Sequence, residues 1–153
     1  HDVHRAEAAV EAAYGATFLP LEELLPQADF VSLHVNLTHD THSLIDAEKL
    51  GWMKKTAILV NTSRGPVINS ADLAAALRSG EIAAAALDVT DPEPIPADDP
   101  LVGLDNCLIV PHIASASRAT RAKMAQMAAA NLLAGVRGER IPTPVNPEVY
   151  DRT

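Results

Sequence analysis

At 153 residues the chain is the size of one domain, and a hydrophobic content of 48% is enough for a real core. Aromatic residues make up only 3%, so that core must come from Ala, Leu, Val and Ile, as in helices packed on a parallel sheet. The net charge is −8, with 12 basic residues scattered among 20 acidic ones, which argues against a nucleic-acid groove or an anionic membrane surface and leaves only a small anion, held locally.

Taken in chain order, residues 5–14 read as an Ala-rich helix with Val10 and Tyr14 four apart and Gly15 placed to end it. Residues 17–19 (TFL) read as a short strand, 21–25 as one or two helical turns before Pro26, and 29–35 (DFVSLHV) as a strand. A short helix over 47–53 and a strand over 56–61 follow. Ser70 is a good N-cap for a helix over 71–79, with Leu73, Ala76 and Leu77 as its buried stripe and Gly80 as its stop. Residues 82–89 read as a strand, then a loop with four prolines, then a last strand over 106–110. A long helix from about 118 to 136 carries Met124, Ala128, Leu132 and Val136 at spacing four. The proline-rich tail from Ile141 to Pro147 is neither helix nor central strand. Strand and helix in alternation predict an α/β fold, a doubly wound parallel sheet covered on both faces.

Three charged side chains share one address in this pattern. Arg64, Glu93 and His112 each stand shortly after an apolar strand run. In an open α/β sheet the ligand crevice lies beyond the carboxyl ends of the strands. A cation, a carboxylate and an imidazole on one rim are the inventory of a site that binds an anion and moves a proton. Taken singly each has a plainer reading: Arg64 as a surface arginine paired with an acid, Glu93 as a solvated loop residue, His112 as a structural histidine. Asp88 lies inside its strand run, where an ionised side chain needs a hydrogen-bonding partner. His34, His39 and His42 are close in sequence, but no carboxylate or thiol pattern completes a ligand set, so no metal is expected. The single cysteine, Cys107, cannot close an intrachain disulfide, which fits a cytoplasmic protein, and it reads as a small core residue. No apolar run approaches the ~18 residues of a membrane span, and no charged-then-apolar leader opens the chain.

In order and spacing, the blocks VSLHVNLTHDTHSLI, MKKTAILVNTSRGPVI, ALDVTDPEPIP, NCLIVPHIASAS and TPVNPE resemble the D-isomer-specific 2-hydroxyacid dehydrogenases, most closely the glyoxylate/hydroxypyruvate reductases. The resemblance implies a Rossmann-type NAD-binding domain, with NADP as the second choice. It also implies reversible hydride transfer between nicotinamide and C2 of a small 2-oxo or 2-hydroxy acid, in a homodimeric full-length protein. By the same likeness Arg64 holds the substrate carboxylate and polarises its oxo group. His112 is the proton donor on reduction, and Glu93 hydrogen-bonds it and keeps it protonated. Asp88 meets the nicotinamide carboxamide, while Asn36, Thr62, Ser63, His112 and Ser115 line the cofactor cleft. The Glu–His pair argues against the formate dehydrogenase branch, which uses Gln with His. A non-catalytic, NAD-sensing corepressor-like protein of the same fold is the alternative.

Some features depart from the family pattern. Asn36 stands where the family usually has Pro, and Ala114 where it usually has Gly. No Gly-x-Gly-x-x-Gly occurs, and Asp2 resembles the ribose-binding acid about 20 residues beyond that fingerprint. Asp2 favours NAD, whereas the neighbouring His4 and Arg5 could accommodate a 2′-phosphate. The expectation is therefore an incomplete Rossmann sheet, with the first strand, glycine loop and first helix upstream. Residues 1–136 then form a partial dinucleotide-binding domain, and 137–153 a tail returning towards a substrate domain. The strand over 29–35 becomes an edge, and the 153 residues alone are expected to fold poorly or associate and to lack NAD affinity.

Overall fold

The computed structural model of the chain describes residues 1–151. Four parallel strands, β1 (Phe30–Leu33), β2 (Ile58–Asn61), β3 (Ala84–Leu87) and β4 (Cys107–Ile109), lie side by side in sequence order. The register sets Val31, Leu59, Ala85 and Cys107 in one row and Leu33, Asn61, Leu87 and Ile109 in the next. All four strands thus end at one level, and the loops that follow them form one rim. The described chain forms two compact units, His1–His112 and a second that starts at Ile113.

Within the first unit the helices are α1 (Ala8–Tyr14), α2 (Leu21–Leu24), α3 (Ala47–Trp52) and α4 (Ser70–Ser79). Gly15 and Gly80 close α1 and α4 at φ 61° and 69°, in the left-handed region where glycine has no steric penalty. The Asp46 side chain caps α3 by accepting from the Lys49 backbone N–H at 3.1 Å. The core joins Leu50 of α3 and Leu73, Ala74 and Leu77 of α4 to Val31, Leu59, Ala85 and Leu87 of the sheet.

Two expectations are corrected. Residues 17–19 form no strand; Phe18 instead lies under the Arg5 guanidinium and beside the His1 ring. The cap of α4 is Asn69, one residue earlier than Ser70, because its side-chain oxygen accepts from both the Ala71 and Asp72 backbone N–H groups. The sheet buries Val31, Leu33, Leu59, Ala85 and Leu87 on one face; on the other, β2 and β3 are partly buried while Phe30 is 72% and Leu108 62% exposed. In the second unit, helix α5 (Arg118–Val136) has the predicted bounds, but Met124, Leu132 and Val136 are exposed and its one buried residue is Ala134.

Candidate active site

The loop after β2 is built by a residue that the motif reading passed over. Asn61, 1% exposed at the strand's last position, accepts on Oδ1 from the Ser63 backbone N–H and hydroxyl at 3.0 and 2.8 Å. Its Nδ2 donates to the Arg64 carbonyl at 2.9 Å. One buried amide therefore satisfies the polar groups of the turn and fixes the backbone from which Arg64 projects. The signal in sequence was a polar residue closing an apolar run. Arg64 is exposed, donates to the Ser63 carbonyl at 2.6 Å, and pairs with no carboxylate among the described residues. Its guanidinium is available to a ligand. The cleft of about 410 Å³ around it is lined by His34, Asn36, Thr62 and Ser63.

The loops after β3 and β4 carry the other two groups. His112 Nδ1 and Glu93 Oε1 are 2.7 Å apart, in a cleft of about 450 Å³ also lined by Asp88, Thr90 and Pro94. Each side chain is close to half exposed, His112 at 48% and Glu93 at 43%, so the imidazole is reachable from solvent while its Nδ1 is occupied. Contact with Glu93 at Nδ1 leaves Nε2 as the ring atom for exchanging a proton with a ligand. His112 has φ 52°, in the left-handed region, and its backbone N–H is shared between the Asp88 and Val110 carbonyls at 3.0 Å each. Asp88 itself is buried at 5% exposure.

The loops that line the two clefts meet at Gly65. A Cβ there would overlap the Thr90 backbone carbonyl, so glycine is what lets the loop after β2 lie against the loop after β3. No hydrogen bond or ion pair joins Arg64 to His112 or Glu93.

The remaining candidates divide. Asp2, His4 and Asn36 line a groove of about 490 Å³ with Thr38 and Thr41, and this groove shares His34, Val35 and Asn36 with the Arg64 cleft. Asp2 Oδ1 accepts from the His4 backbone N–H at 2.9 Å. Arg5 does not line the groove; its fork is taken by Glu11, with Nε and Nη2 at 2.8 and 2.9 Å from the two carboxylate oxygens. Ser115 stands in a turn of the second unit. Among the described residues no group of three or more His, Cys, Asp or Glu side chains could hold a metal ion. No helix among them is long and apolar enough to cross a membrane.

A carboxylate, an amide and several hydroxyls along the ends of β1 and β2 are the donor and acceptor set that ribose hydroxyls and a carboxamide require, so these residues fit the nucleoside parts of a dinucleotide. Residues 1–114 match the family profile "D-isomer specific 2-hydroxyacid dehydrogenase, NAD binding domain". The chain belongs to this family. Among curated proteins it is similar to the glyoxylate reductase of Korarchaeum cryptofilum, at 55% identity over 139 residues, covering 91% of this chain and 42% of that protein. The human glyoxylate reductase/hydroxypyruvate reductase is 49% identical over 132 residues, covering 86% of this chain and 40% of that protein. The chain thus spans about two fifths of the length of these relatives. Among solved structures, the D-lactate dehydrogenase with NAD+ from Lactobacillus jensenii superposes with a TM-score of 0.84 at 31% identity, covering 94% of this chain and 46% of that one. The region matched by the profile is the family's NAD-binding domain, and it contains Asp2, Arg64, Asp88, Glu93 and His112.

Proposed function

We propose that the whole protein reduces a small 2-oxo acid of the glyoxylate or hydroxypyruvate type to the D-2-hydroxy acid. The observation that carries this reading is the 2.7 Å His112–Glu93 contact, with the Arg64 loop packed at Gly65 against the loop that leads to Glu93. The NAD(P)H cofactor supplies the hydride when bound. Negative charge then develops on the substrate's oxo oxygen, and a proton donor and a cation are what stabilise it. His112 gives the proton from Nε2, and in the oxidative direction takes it back. Glu93 at Nδ1 fixes the orientation of the ring. Arg64 grips the substrate carboxylate through its planar fork, a geometry that lysine cannot reproduce. Asp88 and Thr62 orient the nicotinamide end, Asn36 and Ser63 line the cofactor cleft, and the family likeness assigns Ser115 to cofactor binding as well. Residues 1–136 belong to the dinucleotide-binding domain, and 137–153, of which 152 and 153 lie outside the described residues, are the tail leading to the substrate domain. Homodimerisation and residence in a reducing cytosol belong to the same proposal, resting on the family likeness and the single free thiol of Cys107.

The test is NADH-dependent reduction of hydroxypyruvate and glyoxylate by the whole protein. His112→Ala is expected to lower kcat by roughly 10²–10⁴, the span of general acid catalysis. Unchanged turnover in that variant would remove His112 from the mechanism, and absence of turnover in the parent would favour a non-catalytic role.

A further inference from the structure

The groove that begins at Asp2 stops short of the nearest arginine. Arg5 is three residues from Asp2, within roughly 11 Å along an extended chain, so its side chain could reach the same groove. It is held elsewhere. Both carboxylate oxygens of Glu11 accept from it, at 2.8 and 2.9 Å, and its guanidinium lies 5.2 Å from the centre of the Phe18 ring. The Glu11 side chain is 14% exposed on a helix with no buried residue, whereas that of Arg5 is 61% exposed. The acid is therefore the anchored partner and the arginine the tethered one.

Resting on the dehydrogenase reading above, we infer that Glu11 sets the coenzyme preference by keeping the Arg5 fork out of the groove at Asp2. A ribose 2′-phosphate is recognised by a cation that offers two parallel N–H donors, and Arg is the side chain built for it. With that fork engaged by Glu11, a 2′-phosphate meets the Asp2 carboxylate in a groove lined by the histidines His1, His4 and His34 but by no arginine or lysine. A 2′-hydroxyl meets the same carboxylate as a hydrogen-bond acceptor. Glu11 is a positioning residue in this scheme: it touches no coenzyme and acts through Arg5.

The experiment is equilibrium titration of the whole protein with NADH and NADPH, read by nicotinamide fluorescence. Steady-state kcat/KM for both coenzymes is measured alongside. Glu11→Ala is expected to tighten NADPH about tenfold, the worth of one freed charge-assisted contact, while NADH moves less than about threefold. Glu11→Gln, which keeps the volume and some of the hydrogen bonding, is expected to shift the ratio in the same direction by less, and carries the test if the alanine variant does not fold. Adding Arg5→Ala to Glu11→Ala is expected to restore the original ratio. A ratio unmoved by either Glu11 variant, or a gain that survives loss of Arg5, overturns the inference while leaving the dehydrogenase reading intact. Binding of neither coenzyme by the unsubstituted protein overturns both.

Discussion

His112 occupies a backbone conformation that L residues avoid, at φ 52°. The left-handed region costs a non-glycine residue roughly 1–2 kcal/mol, and here the shared backbone donor to Asp88 and Val110 holds it. That backbone accompanies the ring's contact with Glu93, and in the proposed reading the placement serves proton transfer at some expense of stability. His112→Gly is accordingly expected to be more stable than His112→Ala by about 1 kcal/mol in thermal or urea unfolding, with both equally inactive. Arg64→Lys is expected to raise KM for the 2-oxo acid at least tenfold, with a smaller effect on kcat, because a point charge replaces a two-pronged grip. Cys107 behaves differently from these groups. Burial, and secondarily the charge of Asp99, push its thiol up to about 11, so its thiolate is scarce at neutral pH. Alkylation by iodoacetamide is expected to be slow at pH 8 and to accelerate only as the pH approaches that value.

The rim and the start of helix α3 each depend on a single residue. The loop after β2 can lie against the loop after β3 only because position 65 has no side chain; Gly65→Ala drives a methyl into the Thr90 carbonyl. The expected cost is about 1–3 kcal/mol of stability, with a loss of turnover larger than the loss of folded protein, measured by unfolding and by activity per folded molecule. The N-terminus of α3 depends on Asp46, whose carboxylate is held below the usual range by its hydrogen bond to Lys49. A folded-state pKa below the unfolded one adds stability that is fully present above the unfolded value of about 4. That stability is lost as pH falls through the lower folded value. Asp46→Ala is expected to cost about 1 kcal/mol at neutral pH, and the difference from the parent should vanish in strong acid, as followed by unfolding midpoints across pH.

For the molecule as a whole, buried apolar side chains concentrate in the unit His1–His112. Leu25, Ile45, Leu50, Leu59 and Ile82 are fully enclosed there, whereas Ala134 is the one buried hydrophobic residue from Ile113 onwards among those described. Local opening free energy follows local burial. Amide hydrogen exchange is expected to be slowest in β2 and β3 and markedly faster along α5, despite its 19 residues of regular helix. Protection of α5 equal to that of the central strands would show that its exposed Met124, Leu132 and Val136 are covered in solution.

The sequence by itself determined the order and type of the main elements, because apolar runs bounded by Gly, Asn and Pro follow from local backbone preference and hydrophobic period. It also determined the family, through Arg64, Glu93, His112 and the blocks around them, since each motif follows its strand at a fixed distance. It could not show that residues 17–19 lack a strand partner, that Asn69 rather than Ser70 caps α4, or that the apolar stripe of α5 is exposed. Those outcomes depend on which neighbours a segment finds, a long-range property. The same holds within the site. The Glu93–His112 contact across 19 positions was implied by the family likeness alone, whereas only the fold itself turned Arg5 to Glu11 and set Gly65 against Thr90. Side-chain contacts of this kind are decided by the packing of loops whose own sequences specify no unique shape.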